Sequence, residues 1–415
     1  MSLPQGRPIP LPPEIEPVRE KARQAILPIK AVDSNSTADK NFLFTAVRTD
    51  AGRKLPPYYL VNFLLIDLLG FPNLGRFEKL AWSVPIEFDG AVYLIEHRKF
   101  GVGVFARKGD EWERQAERIV KLIHHGVKVA KPFFRWKADS AVNASRINVR
   151  NVGRKLYQRF TFLKDNFKAL SEESKKLKTI RESERLQREF GFHLHSTRHG
   201  RDANWVELAA LFIHPDIRKA EDASWLALAA IDAFFAWTEH IFIHLAILQG
   251  QINTGEQVAN MAAAEWGVKF KCAFDVNDKI CKKHFDKLVI IRRQLRNFMA
   301  HGAFGKEGEA FTFHSNAGAV PVAFDYRSAI PQFSLSPELA FDDAEALETI
   351  EGFIKFLWSE PRTPARIYIQ ESDLPLILPY ASDGTYKSAM KSVKEMTEYV
   401  DHMLEEWDRA SNMDW

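Results

Sequence analysis

The amino-acid sequence predicts an α+β protein that is predominantly α-helical. The segment Arg154–Phe190 has helical propensity with few glycines or prolines, and strongly apolar helices are predicted over much of the chain from Trp205 onward. An Asp89-Gly90 pair between two runs of alternating apolar residues predicts an antiparallel hairpin in the N-terminal half. With 415 residues the chain exceeds one ordinary domain, so we expect several.

The composition is that of a globular protein. Hydrophobic residues make up 46% and charged residues 27% of the chain, which excludes wholesale disorder. The 57 Lys and Arg against 54 Asp and Glu leave a net charge of +3, so only a local basic site could attract nucleic acid. Two cysteines cannot frame a disulfide scaffold, and the N-terminus lacks the apolar stretch of a secretory signal. We therefore expect a cytoplasmic protein.

The N-terminal half is predicted to hold one small domain behind an irregular segment. Six prolines among the first 17 residues predict that residues 1–39 are an extended, poorly ordered lead-in. Residues 40–150 predict an α+β domain with an antiparallel hairpin, to which the sequence assigns no role. Its predicted elements are an apolar helix from Pro56 that ends at Gly70, strands Ile86–Phe88, Ala91–Glu96 and Val102–Ala106, and an amphipathic helix Glu111–His125 that ends at Gly126.

Residues 151–204 are predicted to form a basic helical connector. Between Arg146 and Arg201 there are fifteen Lys and Arg against six Asp and Glu. Two interpretations fit this excess of positive charge. The segment is either a solvated connecting helix or an RNA-facing surface, where clustered cations would neutralise phosphates.

Residues 205–360 predict a helical bundle, and residues 361–415 a tail with one strand and one helix. The predicted elements are helices Trp205–Ile213, Glu221–Gln249, Asn277–His301 and Asp342–Trp358, strands Ala310–His314 and Val320–Tyr326, and in the tail a strand Ala365–Gln370 and a helix Tyr386–Trp407. The run Trp225–Leu248 is almost long enough to cross a bilayer. We expect a buried core helix and no membrane association, because the run contains four ionisable residues that are costly in hydrocarbon: Asp232, Glu239, His240 and His244.

The end of the third bundle helix, LVIIRRQLRNFMAHG, combines a buried face with a polar ridge. Its apolar residues recur at helical spacing and predict one buried stripe: Cys281, Phe285, Leu288, Ile291, Leu295 and Phe298. At about 100° per residue, Arg293, Asn297 and His301 follow one another along one side of the helix, with Arg296 beside them. Gly302 then fits the left-handed position that ends a helix.

The residues Arg296, Asn297 and His301, within LRNFMAHG, resemble the motif of the HEPN superfamily, an Arg and a polar residue followed by a His five positions after the Arg. The pair Arg188 and His193 has the same spacing, but Gly191 interrupts the helix between them. A single carboxylate in the apolar upstream helix, Glu239 in FFAWTEHIFIHLAIL, is similar to the first bundle helix of several HEPN groups. The resemblance covers about residues 205–360.

The HEPN resemblance implies an all-helical bundle that dimerises through its motif helices. Many members of the superfamily are metal-independent endoribonucleases, often toxins or antiphage effectors, and others are nucleotide-binding or interaction modules. In an endoribonuclease, His301 can act as acid or base, Arg296 can hold the phosphate, and Asn297 can orient the imidazole or the ribose. A homodimer would supply the second His, and Glu239 would fix Arg296 or Arg293 by an ion pair.

These considerations favour an endoribonuclease that cleaves single-stranded or loop RNA, without a cofactor or metal and without DNA specificity. The alternative is a non-catalytic module for dimerisation or for binding a partner or nucleotide. In that module Arg296 would pair with Glu239 or Asp232, and His301 would only cap its helix.

Metal and nucleotide chemistry have weaker support in the sequence. His193, His195 and His199 are closely spaced, and His240 and His244 are one helical turn apart, but neither group has a complete set of metal ligands. The G-x-G-x-x-A pattern of residues 101–106 lies within a predicted strand and not between a strand and a helix.

Overall fold

The computed structural model describes residues 11–32, 45–192, 214–301, 309–325, 332–335 and 342–413. The fold is predominantly α-helical with a small antiparallel sheet, which confirms the predicted fold class. The chain divides into two compact units, Met1–Ala144 with Asp401–Trp415, and Ser145–Val400. The predicted helix Trp205–Ile213 and the histidines of residues 193–199 lie outside the described residues.

The first unit contains a five-stranded antiparallel sheet whose strands lie side by side in the order Lys30–Ala31, Leu80–Phe88, Ala91–Arg98, Gly101–Ala106 and Val47–Arg48. Phe88 pairs with Ala91 across the predicted Asp89-Gly90 turn, and both turn residues have positive φ, 49° and 77°. These angles are those of the tight turn that matches the twist of a hairpin, which confirms the prediction. The strands are β1 (Lys30–Ala31), β2 (Val47–Arg48), β3 (Leu80–Phe88), β4 (Ala91–Arg98) and β5 (Gly101–Ala106).

Among the residues that the structure describes, the first unit also contains helices α1 (Glu16–Ile26), α2 (Tyr58–Asn62, continued by a π-helical turn over Phe63–Leu68), α3 (Asp110–Val129) and α4 (Lys131–Asn143). The prediction of a poorly ordered lead-in over residues 1–39 is wrong for α1. Ala22 and Ile26 are fully buried and lie one turn apart, so α1 packs one apolar edge against α3. Pro17 lies in the first turn of α1, where a missing N–H costs nothing.

The predicted end of α3 at Gly126 is also wrong, because α3 continues to Val129. A Cβ atom at position 126 would lie 2.5 Å from Cγ2 of Ile26 and 3.0 Å from Cδ2 of Leu64. Gly126 therefore makes room for α1 and the π-helical turn after α2, and does not end the helix.

The second unit is a helical assembly built around one long apolar helix. Its helices are α5 (Gly153–Phe192), α6 (Pro215–Leu248), α7 (Gly255–Ala263), α8 (Trp266–Ala273), α9 (Lys279–His301), α10 (Asp343–Leu357), α11 (Thr363–Arg366), α12 (Pro379–Ser382), α13 (Thr385–Ala389) and α14 (Val393–Asn412), of which the residues from Asp401 on belong to the first unit. Its strands are β6 (Asn148–Val149), antiparallel to β10 (Leu376–Ile377), and an antiparallel sheet of β7 (Glu309–Ser315), β8 (Gly318–Asp325) and β9 (Gln332–Ser334).

The helix α6 forms the centre of the second unit. By length and composition α6 could cross a membrane, and it is the one helix of this kind in the part of the chain that the structure describes. In its most apolar window 56% is buried, and α5, α8 and α10 all pack against it. Its apolar side chains therefore form the helical core of this unit.

The basic segment predicted as a connector is part of the second unit. Phe160 of α5 is fully buried, and its ring lies 5.9 Å from that of Phe234 on α6. Carboxylates of neighbouring helices neutralise several of its cations, through the pairs Lys164–Glu351 at 2.9 Å, Lys168–Glu351 at 2.8 Å, Arg181–Asp216 at 3.1 Å and Arg159–Asp232 at 3.8 Å. The segment is therefore not a free connector, because α5 packs along α6, although several of its cations, such as Lys175, Lys176 and Lys178, are exposed.

The C-terminal segment does not form a separate tail, since residues 361–400 belong to the second unit. The strand predicted over Ala365–Gln370 is wrong, because α11 and a π-helical turn over Ile367–Glu371 occupy these residues. Ala365, Tyr368 and Ile369 are all fully buried, and this spacing of three and four residues is helical. The alternation of β-branched and polar residues in this segment explains the incorrect prediction.

Candidate functional site

The helix α9 is continuous from Lys279 to His301, as the sequence predicts. Asp278 Oδ2 accepts a hydrogen bond of 2.7 Å from the N–H of Cys281, which satisfies one free donor of the first turn. The predicted buried stripe is confirmed at four positions: Cys281, Leu288, Ile291 and Leu295. The backbone of α9 therefore carries Arg296, Asn297 and His301 on its last two turns, while their side chains lie outside the described residues.

Glu239 joins three helices of the second unit. Its carboxylate on α6 lies 2.7 Å from Nζ of Lys269 on α8 and 3.1 Å from Nη1 of Arg292 on α9. The Lys269 side chain is only 5% exposed, so this ammonium group depends on Glu239 for its compensation. Glu239 thus fixes α9 one turn before Arg296.

The partner of Glu239 on α9 is Arg292 and not Arg293, which corrects one of the predicted pairings. Successive residues of a helix point about 100° apart, so only one of two adjacent arginines can face α6. Arg293 is exposed. The Arg292 guanidinium also lies 5.4 Å from the ring of Phe235 and 5.7 Å from that of Trp266, which adds a cation–π interaction.

Lys269 and Arg292 are not among the residues that the sequence predicts for this site. Arg292 could have been found, since it lies closer than Arg293 to the buried stripe on a helical projection. Lys269 is thirty residues from Glu239 and has no signal of its own in the sequence. Asp232, the other predicted partner of Arg296, pairs with Arg159.

His240 and His244 hold the start of α5 against α6. The N–H of Val152 donates to Nε2 of His240 at 3.0 Å, and Nε2 of His244 lies 3.1 Å from the carbonyl oxygen of Arg150. Burial, with the nearby His244, lowers the pKa of His240 to about 3. Burial also lowers the pKa of His244 to about 4, against the opposing effect of two backbone carbonyls. Both imidazoles are therefore neutral near pH 7.

These two histidines serve a structural role in the described part of the chain. No group of three or more His, Cys, Asp or Glu side chains that could hold a metal ion occurs among the described residues. The N–H of Val152 donates to His240, and the protonated nitrogen of His244 donates to the carbonyl oxygen of His240 or of Arg150, which explains their spacing without a metal.

We expect the two histidines to make the second unit sensitive to acid. Above pH 6.5 they are neutral in both states, but below it the unfolded chain binds protons that the folded chain excludes down to pH 3–4. As the pH decreases from 6.5 towards 4, the free energy of unfolding should therefore decrease by up to about 1.4 kcal/mol per pH unit for each histidine. Urea unfolding between pH 7 and 4.5 tests this expectation, with His240→Asn and His244→Asn as variants. A slope as steep in the variants as in the wild type would contradict it.

Comparison of the chain with family models, with curated proteins and with solved structures finds no match.

Proposed function

We propose that this chain is a metal-independent endoribonuclease whose site consists of Arg296, Asn297 and His301. The observation that carries the proposal is the ion pair between Glu239 and Arg292, which fixes the motif helix α9 to α6 one turn before Arg296. This arrangement supports a preorganised site, because cations on a rigid helix keep their orientation during a reaction. The resemblance of residues 205–360 to HEPN proteins supports the same function.

The proposed reaction uses the RNA's own 2′-hydroxyl as the nucleophile. A base removes the 2′-hydroxyl proton, the oxygen forms a bond to phosphorus, and the bond from phosphorus to the 5′-oxygen breaks. An acid protonates the departing 5′-oxygen, so the products carry a 2′,3′-cyclic phosphate and a 5′-hydroxyl. His301 from each of two copies supplies the base and the acid, and Arg296 stabilises the charge that develops on the phosphate oxygens.

The substrate we propose is single-stranded or loop RNA. The bond from phosphorus to the 5′-oxygen must rotate into line with the attacking 2′-hydroxyl, and paired strands resist this rotation. The active form is a homodimer joined through the motif helices, because one chain supplies a single motif histidine. A toxin or an antiphage effector is the biological setting that fits such an activity.

The competing function is a non-catalytic module for dimerisation or for binding a partner or nucleotide. The observation that favours it is that Glu239 is already neutralised by Lys269 and Arg292, which gives the charged residues of this region a structural role. In that case the motif residues would contribute to an interface and would not contact RNA.

We expect the purified chain to cleave end-labelled total tRNA and a mixed-sequence RNA in excess EDTA. The fragments should end in 2′,3′-cyclic phosphates and begin with 5′-hydroxyls. The same RNA with 2′-O-methyl groups should remain intact, because it lacks the nucleophile. A folded dimer that leaves every RNA uncut would contradict the proposal and favour the binding module.

A further inference from the structure

A groove with a cavity volume of about 720 Å³ lies between α9 and α10 in the second unit. One wall carries three lysines of α9, and we call Lys279, Lys283 and Lys287 the lysine row. All three are exposed, and none forms an ion pair with another described residue. Lys282, on the neighbouring side of α9, is instead paired with Asp286 at 2.9 Å.

The lysine row lies on one face of α9. Its members follow one another at intervals of four residues, which corresponds to about 6 Å along the helix axis. Burial, followed by the charges of Lys287 and Lys283, lowers the pKa of His284 in the same groove. The row therefore concentrates positive charge in a cleft where the electrostatic potential is focused.

The lysine row is in register with the motif at the other end of α9. Lys279 and Asn297 are eighteen residues apart, and so are Lys283 and His301. Eighteen residues make about five complete turns, so each pair shares one side of the helix at a distance of about 27 Å. A chain of regularly spaced negative charges that lies along this side would reach the motif residues.

The opposite wall of the groove determines what kind of anion can bind. Glu345 and Glu348 of α10 line it and are exposed like the lysines, so they oppose the binding of a small anion in the groove. An extended strand with one negative charge per nucleotide can contact all three members of the lysine row at once, which a small anion cannot do. Gly352 has no side chain, and an added Cβ would meet nothing within 4 Å, so this wall leaves space for such a strand.

We infer that the lysine row binds the phosphate backbone of the RNA strand whose cleaved bond lies at Asn297 and His301. That the polyanion is RNA rests on the proposed function. The row positions the strand through its phosphates and takes no part in the chemical step.

The test compares the row variant Lys279→Gln/Lys283→Gln/Lys287→Gln with a control of equal charge change, Lys175→Gln/Lys176→Gln/Lys178→Gln on α5. The control residues are exposed lysines of the basic segment, so they also test the RNA-facing interpretation of α5. The probe is a fluorescein-labelled 2′-O-methyl oligonucleotide, which cannot be cleaved. Its dissociation constant is measured by fluorescence anisotropy at several salt concentrations.

We expect the row variant to bind the oligonucleotide at least about tenfold more weakly near 0.15 M salt. The slope of log K against log salt concentration should become shallower by about 2, because each of three lost phosphate contacts contributes about 0.7 to it. The control should bind like the wild type. In cleavage assays the row variant should have a raised KM and an unchanged kcat. Unchanged binding in the row variant, an equal loss in the control, or no binding by the wild type would each overturn the inference.

Failure of this inference can be distinguished from failure of the proposed function. If the row variant binds and cleaves RNA like the wild type, the endoribonuclease proposal is supported and the inference about the lysine row is rejected. Binding that depends on the row, without cleavage of the matching 2′-hydroxyl RNA, would support the row and reject the nuclease.

Discussion

Replacement of His301 by alanine is expected to reduce RNA cleavage by about 10²–10⁴-fold while the chain remains folded, since this is the usual contribution of a general acid or base. In a two-fold dimer the change removes both the base and the acid, which puts the expected loss at the upper end of that range. Arg296→Ala should reduce the cleavage rate by about 10²-fold or more, because the negative charge that develops on the phosphate oxygens then lacks its cation.

Arg293→Ala provides the matched control for these variants. Arg293 is an exposed arginine of the same helix, and Arg292 occupies the position near Glu239 that was predicted for it. Its removal should change kcat at saturating RNA by less than about threefold, because Arg293 can contact a backbone phosphate on this side of the helix but takes no part in the proposed chemical step. The initial cleavage rates of all three variants are measured at saturating RNA in excess EDTA. Circular dichroism checks that each variant retains its helix content. Equal rates in all three would mean that the motif residues are not the site.

Local sequence patterns predicted the elements that local physics determines. The Asp89-Gly90 turn was predictable because both positions require positive φ, which few other residue pairs tolerate. The course of α9 was predictable because its apolar stripe has one period over its whole length. The sequence therefore predicted the backbone that carries the motif residues Arg296, Asn297 and His301.

Features that depend on packing between distant segments were not predictable from local patterns. Which arginine faces Glu239 depends on the rotation of α9 against α6, and a shift of one residue turns a side chain by about 100°. The charges of α5 looked solvated because their partners, such as Glu351 and Asp216, lie far along the chain. The helix α1 was missed because the prolines before it obscured a short amphipathic pattern.

Glu239→Ala is expected to lower the free energy of unfolding of the second unit by about 3 kcal/mol. This value is at the low end of the range for removing one partner of a buried ion pair, because the Glu239 side chain is 32% exposed. The loss arises because the almost completely buried ammonium group of Lys269 is left without the carboxylate that compensates it. Asp286→Ala is the matched control, since it breaks the exposed Lys282–Asp286 pair of α9, and it should cost less than about 0.5 kcal/mol. Urea unfolding at pH 7 compares the two variants.

A second change distinguishes an unpaired charge from a simple loss of packing at Glu239. If the buried ammonium causes the instability, Lys269→Met should restore part of the stability of Glu239→Ala, because an apolar side chain of similar length has no charge to desolvate. The double variant should then be more stable than Glu239→Ala alone by about 1 kcal/mol or more. A double variant that is no more stable would show that the cost comes from the unpaired Arg292 or from lost packing at Glu239, and not from the ammonium group of Lys269. Cleavage separates these two causes, because Arg292 lies one turn before Arg296: only the loss of its ion pair should reduce cleavage by Glu239→Ala at temperatures where the chain is still folded.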